Sequence, residues 1–192
     1  LLNTGLKQEN GQFFTPIPVA RFIVNSLPVA EIIHTKITNN PRRLKSDEYS
    51  ILPYCIDYAA GSGHFLTEIM DSINSIVYGI KESKQYDNNP NIRKTLTSYT
   101  NPDKLYNWAP EYIYGIEKDY RLAKTAKICC FLNGDGDANM IYGDGLDDFS
   151  NSIHYVGKLK EKTNGKENNQ FDIVVANPPY SVANFKSNID NL

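Results

Sequence analysis

Four short apolar runs alternate along the chain with segments of helical spacing, and this alternation sets the expected architecture. Residues 171–176 (Phe-Asp-Ile-Val-Val-Ala) form an apolar run too short for a helix and rich in β-branched residues, which reads as a buried strand. An apolar segment ending at Ile56-Asp57 leads into a glycine turn, and a helical pattern begins near Phe65. Residues 112–117 (Tyr-Ile-Tyr-Gly-Ile-Glu) read as a second strand ending in an acid. A helix is expected from about Asp119 to Leu132, with Leu122, Ala126, Cys129 and Cys130 on its apolar face. Residues 140–146 repeat the motif as a short strand ending in Asp144. Near the start, Val19, Phe22, Ile23 and Leu27 make a helical stripe, and Thr15-Pro16 reads as a helix cap followed by a first-turn proline. Strands alternating with helices indicate an α/β fold with a doubly wound, mostly parallel sheet.

Ligands of such sheets bind beyond the carboxyl ends of the strands, so the residues there carry the candidate chemistry. Asn177-Pro178-Pro179-Tyr180 directly follows the last strand. Each residue before a proline is biased to extended backbone, so Asn177 and Pro178 are held out of helix. The Pro178 carbonyl and the Asn177 side chain then offer two acceptors beside an aromatic plate, a set suited to a flat base with an exocyclic amine. Standing alone, the tetrapeptide reads equally as a strand ending in a proline turn. In Ala59-Ala60-Gly61-Ser62-Gly63-His64-Phe65-Leu66, Gly61 and Gly63 permit a tight turn and close approach of a nucleoside. Leu66 stands where a dinucleotide fingerprint has its third glycine, which disfavours a pyrophosphate ligand. Glu117 is placed to accept hydrogen bonds from ribose hydroxyls, or equally to serve as a solvated charge at a helix start.

Composition narrows the picture. With 192 residues, 41% of them hydrophobic, the chain can bury one substantial core, and one domain is expected. A net charge of −2 is not that of a chain gripping DNA along its length. The lysines at 158, 160, 162 and 166 read as a solvated loop rather than a phosphate track. Cys55, Cys129 and Cys130 lack metal-ligand spacing and read as core packing in a reducing compartment, while His34, His64 and His154 are scattered. Asp135, Asp137 and Asn139 resemble the start of a calcium loop, but no glutamate closes it at the twelfth position, so no metal is expected. No apolar run approaches the ~18 residues of a membrane span, and no signal peptide is visible. The start, Leu1-Leu2-Asn3-Thr4, reads as a cut from a longer protein.

Taken together, these segments resemble adenine-N6 DNA methyltransferases, above all the modification subunits of type I restriction systems and the related fused type II enzymes. Gly11-Gln12-Phe13-Phe14-Thr15-Pro16 is similar to the family's N-terminal cofactor segment, and residues 57–65 to its glycine loop. Residues 114–119 are similar to the stretch carrying its ribose acid, Gly143-Asp144-Gly145-Leu146 to its adenine-side acid, and Asn177-Pro178-Pro179-Tyr180 to its catalytic motif. The catalytic motif alone is shared with amino methyltransferases of RNA bases and protein glutamine; the leading Gly11–Pro16 segment is what narrows the resemblance to DNA adenine. Tyr58 and Ala60 replace the proline and the cysteine usual in the family's loop. Residues 71–110 form an insertion, expected as an extended helix running into a polar stretch over 81–102.

The resemblance implies a Rossmann-like sheet truncated after its fourth strand. It divides the chain into a cofactor segment with helices over 1–50 and the cofactor-binding half of the sheet over 51–192. It implies S-adenosylmethionine as methyl donor, held by Gln12, Phe13, Phe14, Thr15, Pro16, Ile17, Asp57, Ala59, Gly61, Ser62 and Gly63, with Glu117 on the ribose, Asp144 on the adenine and Asn177 alongside. Asn177 and Pro178, with Pro179 and Tyr180, would act on an adenine flipped out of duplex DNA. The implied partners are DNA, a specificity subunit or fused target-recognition domain, and a nuclease, all in the bacterial cytoplasm. The alternatives are an amino methyltransferase acting on RNA or protein glutamine, and an inert cofactor-binding fragment.

Overall fold

The computed structural model describes residues 14–39, 41–134, 139–147, 155, 159 and 171–179. Its centre is a four-stranded parallel sheet of β3 (Cys55–Asp57), β4 (Ile113–Glu117), β5 (Asn139–Tyr142) and β6 (Ile173–Val175), in spatial order β5-β4-β3-β6. The chain runs outward from β3 to β4 to β5, then returns to the opposite side of β3 as β6. Cys55 pairs with both Ile113 and Ile173, and Asp57 with both Gly115 and Val175. The topological switch therefore lies between β3 and β6, which is the crevice where open α/β sheets hold ligands. A two-stranded antiparallel ribbon, β1 (Arg42–Arg43) with β2 (Tyr49–Ser50), stands apart from this sheet.

Burial explains why these short runs are strands. β3 is buried at every residue, and β4 is buried from Ile113 to Ile116, as strands covered on both faces must be. β6 alternates, with Ile173 and Val175 buried and Val174 58% exposed. Helix α3 (His64–Ser83) covers the sheet with Phe65, Leu66, Ile69, Met70, Ile73, Val77 and Ile80. Gly115 lets this helix close in, because a Cβ there would collide with Leu66 and Met140. Helix α6 (Tyr120–Asn133) begins as the spacing predicts, with Asp119 as its cap accepting from the amides of Arg121 and Leu122. Ala126 and Cys130 are buried, as is Ala123, while Leu122 and Cys129 are half-buried.

The helical stripe near the start faces the other way from a core stripe. Helix α1 (Ile17–Asn25) buries Ala20 and Val24, whereas Ile17, Val19, Phe22 and Ile23 are exposed, Phe22 to 73%. The small Ala20 and the i, i+4 spacing to Val24 let α1 lie close on α3, where Arg21 makes a two-pronged hydrogen bond to Glu68 at 2.8 and 3.0 Å. Nor does Thr15 cap α1: the capping position is Pro16, the first-turn proline is Pro18, and the Thr15 hydroxyl is engaged elsewhere.

Helix α2 (Val29–Thr38) follows, and Lys36 ties it to the sheet through Asp172 at 2.9 Å. The polar stretch after α3 is not merely polar coil. It contains α4 (Pro90–Tyr99), capped by Asn89, which turns Ile92, Thr95, Leu96 and Tyr99 inward. Its polar composition hid an apolar face that only the 3.6-residue period reveals. A single turn, α5 (Ala109–Tyr112), leads into β4, and the Tyr99 and Tyr112 hydroxyls meet at 3.1 Å. No single helix among the described residues is long and apolar enough to cross a membrane.

Candidate functional site

The expected site residues that fall among the described ones gather at the carboxyl end of the sheet, around the β3–β6 switch. Gly61 and Gly63 have φ of +54° and +85°, so the chain leaves β3 through a left-handed turn that a side chain would strain. The Ala60 amide donates to the Ile116 carbonyl at 2.9 Å, and the Gly61 amide donates to Glu117 Oε2 at 2.7 Å. The other Glu117 oxygen accepts from the Asp119 amide, also at 2.7 Å. The acid at the end of β4 thus straps the glycine turn to the neighbouring strand. Each carboxylate oxygen keeps a further lone pair for a hydroxyl donor.

Asp57 lies beneath this turn with no solvent exposure. Its Oδ1 accepts from the Ala59 amide at 3.0 Å, while its buried Oδ2 has no hydrogen-bond partner. Burial, with a smaller contribution from the nearby Glu117 charge, raises its pKa to about 7. An unsatisfied buried carboxylate oxygen is costly, and a cationic or amine donor is the kind of partner that relieves it.

Across the switch, Asn177 stands two residues beyond β6. Its Nδ2 donates to the Thr15 hydroxyl at 3.0 Å. The Thr15 carbonyl in turn meets Nδ1 of His64, the first residue of α3, at 3.0 Å. Three segments far apart in sequence therefore converge: the one before α1, the glycine turn and the one after β6. Phe14, Thr15, Ala59, Ala60, Gly61, Ser62, His64, Phe65 and Asn177 line a cleft of about 30 Å3 between them.

Beyond the end of β5, outside the cleft lining, Asp144 pairs with Lys118 at 2.6 Å and is 32% exposed. Burial acts to raise its pKa, but the Lys118 ammonium and the Leu146 amide outweigh it and hold the carboxyl below the usual range. Gly143 donates to the Glu117 carbonyl at 3.0 Å, and the Tyr155 hydroxyl bonds the Asp144 carbonyl, fixing the β5 end beside that of β4.

Of the residues expected here, Pro16 and Ile17 are exposed and outside the cleft lining, and Gly63 is buried behind it. Pro178 and Pro179 are half-buried beside Asn177. Gln12, Phe13 and Tyr180 lie outside the described residues, as do Asp135, Asp137, His154 and the lysines at 158, 160, 162 and 166. Sequence reasoning missed Ala60, His64, Phe65 and Lys118. His64 and Phe65 directly follow the glycine turn, and Lys118 directly follows the strand-end acid, so adjacency to those motifs was the available signal. Among the described residues, no group of three or more His, Cys, Asp or Glu side chains is placed to hold a metal ion.

A family model described as N-6 DNA Methylase matches residues 3–191. No curated protein matches the chain.

Proposed function

The chain belongs to the N-6 DNA methylase family, a family of DNA methyltransferases, and we propose that it takes part in S-adenosylmethionine-dependent methylation of adenine N6 within a restriction-modification system. The observation that carries this reading is the meeting of Asn177, Thr15 and the Gly61–Gly63 turn at the β3–β6 switch. The residues fit the cofactor. Asp57, enclosed beneath the glycine turn and outside the cleft lining, keeps an unpartnered carboxylate oxygen whose charge would favour a cationic methionine end above the turn, Glu117 has acceptor capacity for ribose hydroxyls, and Asp144 suits an adenine amino group. When bound, the cofactor supplies an electrophilic methyl group whose transfer needs no metal activation.

The chain's own contribution is to make a poor nucleophile competent. The lone pair of adenine N6 is delocalised into the ring. Asn177 Oδ1 and the Pro178 carbonyl accept hydrogen bonds from the two N6 protons, localise that lone pair and stabilise the positive charge that develops as the new N–CH3 bond forms and the methyl–sulfur bond breaks. One of the two protons then leaves toward these acceptors and solvent. No strong base is needed, and alignment supplies much of the rate. Because a duplex hides the amine, the base is flipped out, with Tyr180 as its stacking plate. DNA, a specificity subunit or fused recognition domain, and a nuclease are the partners this reading calls for, in a bacterial cytoplasm.

The test is transfer of tritiated methyl groups by the intact protein to unmodified plasmid DNA, with RNA and a glutamine-bearing protein as competing acceptors. Methylated adenine in the DNA alone is expected, and Asn177→Ala is expected to remove it while cofactor affinity stays within a few-fold. Transfer only to RNA or to protein overturns the acceptor. Normal methylation by Asn177→Ala would reduce Asn177 to a turn residue.

A further inference from the structure

We propose that Thr15 is the positioning residue that sets which way the Asn177 carboxamide faces, and that His64 holds Thr15 in place to do so. The proposal rests on the methyl-transfer reading above and adds how its acceptor is oriented. The backbone of Asn177 is fixed by the prolines that follow it, but its side chain is not. The last torsion of an asparagine is broad and roughly two-fold, so nothing in the covalent structure decides whether Oδ1 or Nδ2 points at a substrate. The choice matters. A carbonyl oxygen facing an exocyclic amine accepts its proton, whereas an amide nitrogen sets donor against donor.

The hydrogen bond from Asn177 Nδ2 to Thr15 Oγ1, at 3.0 Å, selects one of the two orientations in the structure. It occupies the nitrogen end and leaves Oδ1 as the atom available to an amine. Thr15 can serve as a fixed acceptor because its own freedom is limited twice. It is β-branched and stiff at χ1, and its carbonyl is held 3.0 Å from His64 Nδ1. A carbonyl can only accept, so Nδ1 of His64 carries the proton of that bond. His64 opens α3 immediately after the left-handed Gly63, so the imidazole is anchored to the glycine turn itself. The same residue that ends the cofactor turn thereby reaches, through Thr15, an amide 162 positions from Thr15 in the chain. The residues of the chain are thus arranged so that a properly seated glycine turn and a correctly faced acceptor come together.

Single-turnover methylation with saturating cofactor and DNA tests this on the intact protein, with cofactor affinity measured by calorimetry. Thr15→Val keeps the shape and loses the hydrogen bond. At saturating cofactor it is expected to slow transfer by about 10- to 100-fold, the scale of one lost or misdirected polar contact in the transition state. Thr15→Ser restores the hydroxyl and should bring the rate back to within about threefold of the wild type. His64→Phe keeps an aromatic ring and loses the donor, and a loss of about 3- to 10-fold in rate at saturating cofactor is expected. A rate unchanged in both Thr15→Val and His64→Phe overturns the proposal, as does a Thr15→Val defect confined to cofactor affinity. If Thr15→Val does not fold, the Thr15→Ser and His64→Phe pair decides on the same criteria. No transfer by the wild-type protein to DNA, RNA or protein sinks the methyl-transfer reading itself, whereas an inactive Asn177→Ala beside fully active Thr15→Val and His64→Phe sinks only the positioning role.

Discussion

Asp57 and Asp144 both sit at the carboxyl end of the one sheet, Asp57 ending β3 and Asp144 two residues beyond β5, yet they answer to opposite forces. Asp57 is fully enclosed, receives one backbone hydrogen bond and keeps an orphaned oxygen, and burial raises its pKa to about 7. Asp144 is 32% exposed and ion-paired, and its carboxyl is held below the usual range by Lys118 and the Leu146 amide against a burial cost. The inner carboxylate is in want of a partner, and the outer one already has its own. A cofactor spanning both would gain most from neutralising an uncompensated charge at the inner end, and would merely exchange partners at the outer end. On the proposed reading, binding and electrostatics are coupled at Asp57 and nearly independent at Asp144.

The largest effect expected from this contrast lies in stability at Asp57. Its folded-state pKa stands above the unfolded value, so its stabilising contribution is fully present below about pH 4 and is lost as pH rises toward 7. A rise of about three units corresponds to a ceiling of about 4 kcal/mol. Asp57→Asn cannot ionise. Without cofactor it should be more stable than wild type at pH 8 by a few kcal/mol, the gap closing as pH falls to 4, while its cofactor affinity drops. Urea unfolding of both proteins at pH 4, 6 and 8 reads this directly. Curves that stay parallel across that range would show that Asp57 already has its partner.

Glu117 lies between the two extremes, at the end of the strand that separates them. Both of its oxygens accept backbone amides at 2.7 Å, one from the glycine turn. Glu117→Ala is expected to weaken cofactor binding by about 1.5–3 kcal/mol, the scale of hydrogen bonds to a charged group. Part of that loss comes from releasing the Gly61 amide rather than from the ribose. Calorimetry with a circular dichroism control measures it. An unchanged dissociation constant in a folded variant counts against placing the cofactor across these strand ends.

The same division separates what could be read from the chain from what could not. The strands were legible because β3 and β4 are short, apolar and bounded by glycine or an acid, which is the signature of burial on both faces. Their end residues Asp57, Glu117, Asp144 and Asn177 could be placed at one edge on that basis. The convergence of Thr15, His64 and Asn177 could not, since it depends on how α1 packs on α3 and on β6 returning beside β3, both long-range events. The stripe near the start correctly marked a helix but left open which face it buries. Apolar spacing marks a face but not its direction, and the small Ala20 with Val24 took the inner side in place of Phe22. In α4 the error ran the other way, since four inward residues sat within a segment whose average is polar.

The smallest effect belongs to Lys118. Its side chain is 74% exposed, so its pair with Asp144 is screened by water and salt. Lys118→Ala should therefore change stability by less than about 1 kcal/mol at ordinary ionic strength. Asp144 has a lowered pKa, so its contribution is present above the usual carboxylate value and lost as pH falls through the folded one. The small cost of Lys118→Ala should therefore be present above about pH 5 and vanish as pH falls through the folded value, opposite in sign to the gain from Asp57→Asn. Its effect on the cofactor has a definite sign as well. With the ammonium gone, Asp144 Oδ2 is free for an amino donor, so affinity should rise slightly, by up to about threefold in low salt and not at all in 0.5 M salt, where a Debye length of roughly 4 Å screens the pair in the parent protein too. Calorimetry at the two salt concentrations separates the cases. A loss of affinity greater than about tenfold, on the scale of a direct hydrogen bond to a charged group, would mean that Lys118 itself touches the cofactor, and the outer end of the site would then be as tightly coupled as the inner one.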